Sequence, residues 1–298
     1  MLLPRFQYHE PKSLDEAITL MGEIGEEAAL LAGGTDLLVN MKRGKLSPKH
    51  LVWLSRAEEL KEVRRSDGSL SIGPCMTVAD LSVQEEIKSD FSGLAEAAGS
   101  LGSPLVRNLA TVGGNIVTAR PAADLPPPLI AYGARVVLKK GDGERSVPLE
   151  EFLQGPGQTT IQHREILSSI LLDIPQPFSG GAYMKLGLRK SLEISVVNVA
   201  AFLALEGPSG PIREARVVLG AVAPKPVRSP QAEGVLIGRE PDDRLFQEAG
   251  EEAAGDARPI DDFRGSADYR REMVKVLTKR TLLKAYEEVK LREWRRWK

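Results

Sequence analysis

Cysteine is almost absent from this chain, since Cys75 is the only one in 298 residues. A single thiol excludes an intramolecular disulfide, a cysteine-based zinc site and a cysteine-ligated iron–sulfur cluster held by this chain alone. Any redox chemistry must therefore use a group other than the chain's own sulfur. No thiol-activating partner is evident near Cys75 in the sequence, and we expect it to be a packed small hydrophobic residue.

An excess of charge and a long apolar run are also missing. Lys and Arg total 40 against 41 Asp and Glu, which argues against binding to nucleic acid. The most apolar stretch, residues 194–205, is interrupted by Ser195 and Asn198 and is shorter than the roughly 20 residues that span a bilayer. The N-terminal residues do not resemble a signal peptide. With the lone thiol, these features lead us to expect a cytoplasmic protein without a membrane span.

Familiar catalytic and nucleotide motifs are absent. No Gly-x-Gly-x-x-Gly follows a predicted strand, and no P-loop occurs, so neither a Rossmann site nor a P-loop site is indicated. The histidines, His9, His50 and His163, are far apart and lack metal-ligand spacing. We expect each of them to be a surface or loop residue.

The hydrophobic pattern predicts an α+β protein. Ser13 and Glu16 are spaced as a capping box before a helix that begins at Leu14. Other helices are predicted over residues 36–43, 94–101, 244–254 and 268–289 and from residues 77 and 124 onward. Strands are predicted over residues 28–32, 51–54, 63–65, 70–73, 134–139, 145–147, 166–174, 183–188, 196–205 and 212–222, and residues 107–115 are predicted as a glycine-rich loop and short strand.

Two changes in the sequence pattern divide the chain. Residues 1–55 are predicted to form a small layer of alternating helices and strands, after which the period of the hydrophobic residues changes. Pro175 and Pro177 mark a second boundary. We therefore expect three units, over residues 1–55, 56–177 and 178–298, the last with three antiparallel strands and a group of helices.

The first of two glycine segments, Ala32-Gly33-Gly34-Thr35-Asp36, lies between a predicted buried strand and a helix. Paired glycines let the chain turn sharply and let a ligand approach the backbone. The amides of Gly34, Thr35 and Asp36 would then form an anion-binding nest at the helix N-terminus. Because a carboxylate is a poor phosphate ligand, we assign the Asp36 side chain to helix capping or to a ribose hydroxyl. A plain strand-to-helix turn remains the alternative.

The second segment, Thr111-Val112-Gly113-Gly114-Asn115, repeats this chemistry with paired glycines, a hydroxyl and an amide side chain. Two such segments, without a triad or metal set nearby, are typical of a diphosphate bridge that backbone amides and hydroxyls hold from both sides. This pattern indicates an adenine-containing cofactor bound without a Rossmann fold.

Six segments in order along the chain carry a resemblance to a known family. They are Ala32-Gly33-Gly34-Thr35-Asp36-Leu37, Asn108-Leu109-Ala110-Thr111-Val112-Gly113-Gly114-Asn115, Pro121-Ala122-Ala123-Asp124-Leu125-Pro126-Pro127, Lys185-x-x-x-Arg189-Lys190, Val196-Val197-Asn198-Val199-Ala200-Ala201 and Arg264-Gly265-Ser266-Ala267-Asp268-Tyr269-Arg270. The chain resembles the FAD-binding medium subunits of molybdenum hydroxylases, the family of the carbon monoxide dehydrogenase flavoprotein and the xanthine dehydrogenase FAD domain. This resemblance implies a two-subdomain FAD lobe of the vanillyl-alcohol oxidase type, followed by a C-terminal lobe of three antiparallel strands and a helical bundle.

The resemblance also implies which residues contact the FAD. Asp124 matches an acidic residue that hydrogen-bonds the cofactor, and Lys185 matches a basic residue near the flavin, where a cation favours the anionic reduced ring. Without the family context, Lys185 would be interpreted as a solvated strand lysine. The full set implied for the cofactor is Leu31, Ala32, Gly33, Gly34, Thr35, Asp36, Leu101, Thr111, Gly114, Asn115, Asp124, Leu167 and Lys185.

Two residues depart from the family pattern. Arg120 stands where many relatives have a small residue, and Glu193 stands where an aspartate is common, so either could alter what reaches the flavin edge. The family branch with an extra iron–sulfur cluster in this subunit needs additional cysteines, which this chain lacks.

The resemblance implies an oxidoreductase subunit that transfers electrons. A molybdenum-cofactor large subunit would oxidise the substrate, and a 2Fe-2S small subunit would deliver electrons to the FAD, in a heterotrimer or a dimer of heterotrimers. One alternative is a self-sufficient flavin oxidase or reductase with its own substrate-binding cap. Another is an interaction protein that has kept the fold and lost the cofactor.

The C-terminal tail, residues 290–298, carries two of the three tryptophans and a local basic excess. On a continuing helix, Trp294 and Trp297 would share one face. The tail either packs on its own domain or anchors a partner through these aromatic residues.

Overall fold

The computed structural model describes residues 2–141, 143–189 and 192–296. The strands are β1 (Gln7–His9), β2 (Ala28–Leu31), β3 (His50–Trp53), β4 (Val63–Ser66), β5 (Ser69–Ile72), β6 (Arg135–Lys140), β7 (Gly143–Pro148), β8 (Leu153–Gly155), β9 (Gln158–Thr159), β10 (Ile166–Asp173), β11 (Ser179–Leu186), β12 (Val197–Leu205), β13 (Ile212–Gly220) and β14 (Val227–Arg228). The helices are α1 (Leu14–Ile24), α2 (Leu37–Lys42), α3 (Val78–Val83), α4 (Glu85–Asp90), α5 (Ser92–Ser100), α6 (Pro104–Arg107), α7 (Val112–Val117), α8 (Pro126–Ala131), α9 (Leu149–Phe152), α10 (Pro230–Leu236), α11 (Asp243–Asp256) and α12 (Ala267–Arg296).

The first strands form a parallel sheet in the order β1-β3-β2, and the apolar face of α1 packs with Val52 in one core. The predicted helix–strand–helix–strand order is confirmed, but β1 was missed because three residues are too few to show a period. Ser13 caps α1 as predicted, since its Oγ accepts from the amide of Glu16 at 3.2 Å. The carboxylate of Glu16 instead accepts from the amide of Lys12, one residue before the expected donor.

The second sheet is antiparallel, with the order β4-β5-β10-β6-β7. Both predicted hairpins are confirmed in it, although Asp142, in the second turn, lies outside the described residues. The prediction of a loop and short strand over residues 107–115 is wrong, because α6 ends and α7 begins there. The paired glycines in the first turn of α7 have low helix propensity and concealed this helix.

The C-terminal sheet has four strands in the order β11-β12-β13-β14. The three long antiparallel strands are confirmed, but the prediction of a three-stranded sheet is wrong, because the two-residue strand β14 pairs with β13. Helices α11 and α12 were predicted, whereas the short α10 was missed.

Strand β12 is buried along its whole length. Alternate side chains of a strand point to opposite faces of the sheet. Ala200, Phe202 and Ala204 join the large core beneath α5 and α8, while the intervening residues join the core formed with α11 and α12. The C-terminal sheet is therefore covered on both faces, and one face packs directly on the N-terminal part of the chain.

Two of the histidines are neighbours in space and lie part-buried on strands, which corrects the expectation that each is a surface or loop residue. His9 on β1 and His50 on β3 lie on adjacent parallel strands, and their rings stack with centroids 5.3 Å apart. His9 Nε2 lies 3.0 Å from His50 Nδ1. Among the described residues, no group of three or more His, Cys, Asp or Glu side chains could hold a metal ion.

Near its C-terminal end, the long helix α12 contacts the rest of the protein through Arg292. Arg292 is 6% exposed and donates to the Ser179 carbonyl oxygen and to Asp90, whereas Trp294 is 58% exposed. Trp297, the other tryptophan of the predicted aromatic face, lies outside the described residues. In the described part of the chain, no helix has both the length and the apolar character needed to cross a membrane.

Candidate cofactor-binding cavity

A cavity of about 570 Å³ lies among the residues that follow β2 and β3, helices α2 and α7, and strand β10. That volume is typical of a site for a small molecule or cofactor. Ten of the thirteen residues predicted from the sequence line it: Ala32, Gly33, Gly34, Thr35, Asp36, Leu101, Thr111, Gly114, Asn115 and Leu167.

The first glycine segment forms the turn after β2. A Cβ atom on Gly33 would lie 1.7 Å from the carbonyl oxygen of Leu109, so this turn packs directly on the backbone that leads to the second glycine segment. Gly34 has a φ of +71°, in the region that favours glycine. Within the described part of the chain, the amides of Gly34, Thr35 and Asp36 donate no hydrogen bond. Three donors at a cavity wall favour a ligand-binding turn over a plain connection.

The second glycine segment is the start of helix α7. Thr111 is its N-cap, and Thr111 Oγ1 accepts from the amide of Gly114 at 3.1 Å. The amide of Gly113 donates to the carbonyl oxygen of Pro74, in the loop between β5 and α3. The expectation of a second nest of free amides is therefore wrong. This segment offers a ligand the hydroxyl proton of Thr111 and the Nδ2 group of Asn115, whose Oδ1 accepts from Leu125 N at 3.4 Å.

Asp36 is the only charged residue among the described residues that line the cavity. It occupies the N-cap position of α2, but its side chain makes no capping hydrogen bond, so the capping assignment is wrong. Its Oδ1 atom instead lies 3.9 Å from Nη2 of Arg120. The assignment to a ribose hydroxyl stays a prediction.

Another part of the wall is apolar and suits a flat conjugated ring. Leu101 and Leu167, which are 7% and 4% exposed, lie there with Val106 and Ile161. Cys75 also lines the cavity, and burial raises the pKa of its thiol to about 11. This residue is a packed, protonated small side chain, as predicted.

Three predicted residues lie outside this cavity. Leu31 lines an adjacent cavity of about 540 Å³, which shares Gly33 and Thr111 with the first. Asp124 and Lys185 line neither cavity. They form a buried cluster where the segment before α8 meets the C-terminal sheet. The amide of Leu125 donates to the side chain of Asn115, and this hydrogen bond connects the segment with α7.

Asp124 accepts three hydrogen bonds from the C-terminal half of the chain. Its Oδ1 accepts from the hydroxyls of Tyr183 at 2.7 Å and Ser195 at 2.9 Å, and its Oδ2 accepts from Lys185 Nζ at 3.1 Å. The Lys185 side chain is 14% exposed, so it is a buried ion-pair partner and not a solvated strand lysine. Burial and the neighbouring Asp124 charge raise the pKa of Tyr183 well above its usual range, which keeps the hydroxyl a donor.

Sequence reasoning missed Tyr183, Ser195 and the contact made by Arg120. Strand periodicity held a clue to the first, because residues two apart on a strand share a face, and Lys185 was already a candidate. Ser195 and Arg120 reach their partners from separate loops, and no local pattern marks such contacts.

Two family models together cover most of the chain. Residues 4–177 match the family model described as the FAD binding domain in molybdopterin dehydrogenase. Residues 182–285 match the CO dehydrogenase flavoprotein C-terminal domain.

The chain is 34% identical to the carbon monoxide dehydrogenase medium chain of Hydrogenophaga pseudoflava, over 96% of this chain and 99% of that one. It is 31% identical to a xanthine dehydrogenase FAD-binding subunit of Escherichia coli, over 93% and 95% of the two chains. A solved structure of the Hydrogenophaga pseudoflava enzyme superposes with a TM-score of 0.91 over 97% of this chain and 99% of that one, at 34% identity. The chain therefore belongs to the family of FAD-binding medium subunits of molybdenum hydroxylases, which are oxidoreductases, and its cofactor is FAD.

Proposed function

We propose that this chain takes electrons from a 2Fe-2S small subunit and passes them through FAD to an external acceptor, while a molybdenum-cofactor large subunit oxidises the substrate. FAD supplies the electron transfer, because it exchanges electrons singly or in pairs. The chain's own residues bind the cofactor, orient it and exclude water from it. No side chain has to act as an acid or base.

The scarcity of titratable side chains among the described residues of the cavity wall carries this proposal. Among the described residues that line it, only Asp36 and Cys75 have titratable side chains. Asp36 lies at the glycine turn beside Arg120, and the raised pKa of Cys75 keeps its thiol protonated. A self-sufficient oxidase would need a proton-transfer group beside its substrate, so the wall favours electron transfer.

The donors at the wall fit FAD. The amides of Gly34, Thr35 and Asp36 would hold the diphosphate, the Thr111 hydroxyl and Asn115 Nδ2 would hold polar groups beside it, and the apolar wall would hold the ring. The whole predicted set, including Leu31, Asp124 and Lys185, is part of this proposal. If Lys185 lies near the flavin, Lys185→Met lowers the reduction potential of the bound cofactor, because a cation that favours added negative charge is lost.

The finer architecture belongs to the same proposal. We propose a two-subdomain FAD lobe of the vanillyl-alcohol oxidase type over residues 1–55 and 56–177 and a C-terminal domain over residues 178–298, supported by the two separate N-terminal sheets and by the family match that ends at residue 177. The assembly would be a heterotrimer or a dimer of heterotrimers. A cytoplasmic location is supported by the unpaired thiol of Cys75, and cell fractionation tests it.

The test compares flavin binding and substrate-dependent dye reduction by the purified chain with dye reduction by the complex that it forms in its native host. The purified chain with FAD should show bound-flavin absorbance but should not oxidise carbon monoxide, xanthine or aldehydes with an added dye acceptor. The tagged chain from its native host should recover a molybdenum-binding chain and a 2Fe-2S chain, and that complex should reduce the dye. Turnover by the isolated chain would instead favour the self-sufficient oxidase, and absence of flavin binding would favour the cofactor-free interaction protein.

A further inference from the structure

The cavity presents a charge problem for a diphosphate ligand. The diphosphate of FAD carries two negative charges, whereas the only charged residue among the described residues of the wall is Asp36, which is also negative. Like charges at a shared site repel, and the repulsion is stronger where part of the surroundings is apolar. A cation beside Asp36 would offset this repulsion.

Arg120 is placed to supply that cation. Its Nη2 atom lies 3.9 Å from Oδ1 of Asp36, and the two side chains are 55% and 52% exposed. Arg120 is therefore next to a residue of the cavity wall, although it is not itself among the described residues that line the cavity. The distance is too long for a hydrogen bond. In the described part of the chain, the guanidinium donates no hydrogen bond, so its five N–H groups remain for a ligand.

The backbone beneath Arg120 is held in place. Ala119 has a φ of 47°, which is rare for a residue with a Cβ atom. Its carbonyl accepts from Gly157 N at 2.9 Å, and the carbonyl of Arg120 accepts from Ala123 N at 3.0 Å. Unusual backbone conformations that the surroundings impose are concentrated at ligand sites. Here the conformation fixes the backbone of a residue whose guanidinium lies beside Asp36.

We propose that Arg120 is a cofactor-binding residue of this chain, which contacts the FAD diphosphate while it neutralises Asp36. This inference rests on the proposed FAD site. The planar guanidinium suits phosphate, because it can donate two parallel hydrogen bonds. Arg120 follows α7 and Asp36 precedes α2, so the ion pair connects the loop after the second glycine segment with the first glycine segment.

The first experiment measures FAD affinity by flavin fluorescence on Arg120→Ala and Arg120→Lys at 50 and 500 mM salt. Arg120→Ala should weaken FAD binding about 10- to 100-fold at low salt, and Arg120→Lys should recover part of the loss. The difference should shrink at high salt, because an exposed ionic contact is screened. Arg213→Ala, at an exposed arginine of β13, is the matched control and should bind FAD like the wild type. Equal affinity of the wild type and Arg120→Ala would overturn the inference.

A second experiment separates contact with the phosphate from screening of Asp36. Arg120→Ala is compared in the wild-type and Asp36→Asn backgrounds. A direct contact predicts a loss of affinity in both, whereas pure screening predicts a loss only when Asp36 is charged, which would overturn the proposed contact. Thermal unfolding of each variant without FAD should match its parent, because the guanidinium makes no hydrogen bond within the described structure. If the wild type fails to bind FAD, the proposed function fails, independently of Arg120.

Discussion

Asp124 Oδ2 lies 3.1 Å from Lys185 Nζ, and this buried ion pair joins the segment before α8 to strand β11 of the C-terminal sheet. The hydroxyls of Tyr183 and Ser195 occupy the other carboxylate oxygen. The position where the family resemblance implies contact with FAD is thus also a junction between the two halves of the chain. A change at this junction should affect both stability and the cofactor.

We expect Lys185→Met to lower the free energy of unfolding by about 3 kcal/mol, because it leaves a buried carboxylate without its cation. Chemical denaturation of the apoprotein measures this. Lys88→Met is the matched control, because Lys88 pairs with Glu85 on the surface, where the side chains are 47% and 87% exposed. The control should change stability by less than about 0.5 kcal/mol. Equal effects of the two variants would contradict a structural role for the buried pair.

We expect Gly33→Ala to destabilise the protein by about 2–3 kcal/mol and to weaken FAD binding at least about tenfold, because the new Cβ atom would overlap the Leu109 carbonyl. Gly22→Ala is the control. Gly22 lies inside α1, where an added methyl group would meet no neighbouring atom within 4 Å, and alanine there should stabilise the helix by about 0.5–1 kcal/mol. Thermal unfolding and FAD titration check both variants, and wild-type behaviour of Gly33→Ala would contradict the close approach of the two segments.

The lowered pKa of Asp262 leads us to expect that the stability of the protein depends on pH. Hydrogen bonds from Arg264, and then from Arg270, lower the pKa of Asp262 far below its ordinary value. Arg270 is 1% exposed and also donates to the carbonyl oxygens of Val196 and Ala221. On acidification, the unfolded chain binds the proton first, so the stabilisation is complete above about pH 4 and is lost as the pH falls below it.

Asp262→Asn should therefore lower the free energy of unfolding by about 3 kcal/mol at pH 7, and its difference from the wild type should shrink between pH 4 and pH 2. Denaturant midpoints across this range measure it. Asp268→Asn is the control, because the Asp268 side chain is 94% exposed, and it should show neither effect. A pH-independent difference for Asp262→Asn would contradict the assignment.

Cys75 should react slowly with thiol reagents. With its pKa raised to about 11, about 0.1% of the thiol is ionised at pH 8, and only the thiolate is a nucleophile. Labelling with a chromogenic disulfide should be at least about 100-fold slower in the native protein than in denaturant. Since Cys75 lines the cavity, bound FAD should slow the reaction further. Rapid labelling of the native protein would show that the thiol is open to solvent.

Local patterns were sufficient for the long elements. The periodicity from Leu14 to Met21, the Asp67-Gly68 turn and the apolar stretch of β12 each predict an element that the structure contains. They fail for β1, β14 and α10, because so few residues hardly constrain a period and these elements depend on neighbours distant in the chain. They fail for α7 because its capping threonine precedes two glycines.

The same distinction between local patterns and contacts of distant residues applies to the site. The sequence by itself determined the two glycine segments, because the φ of Gly34 favours glycine and the close contact at Gly33 leaves no room for a Cβ atom. It also determined the family, through the order of its motifs. Only the tertiary structure decided that the amides of Val112 and Gly113 are bonded to Met76 and Pro74. It also decided that the Asp124 carboxylate accepts from Tyr183, Lys185 and Ser195, and that Arg120 lies beside Asp36. These contacts join residues far apart in the chain, and their geometry is set by how sheets and helices pack, which no local pattern encodes.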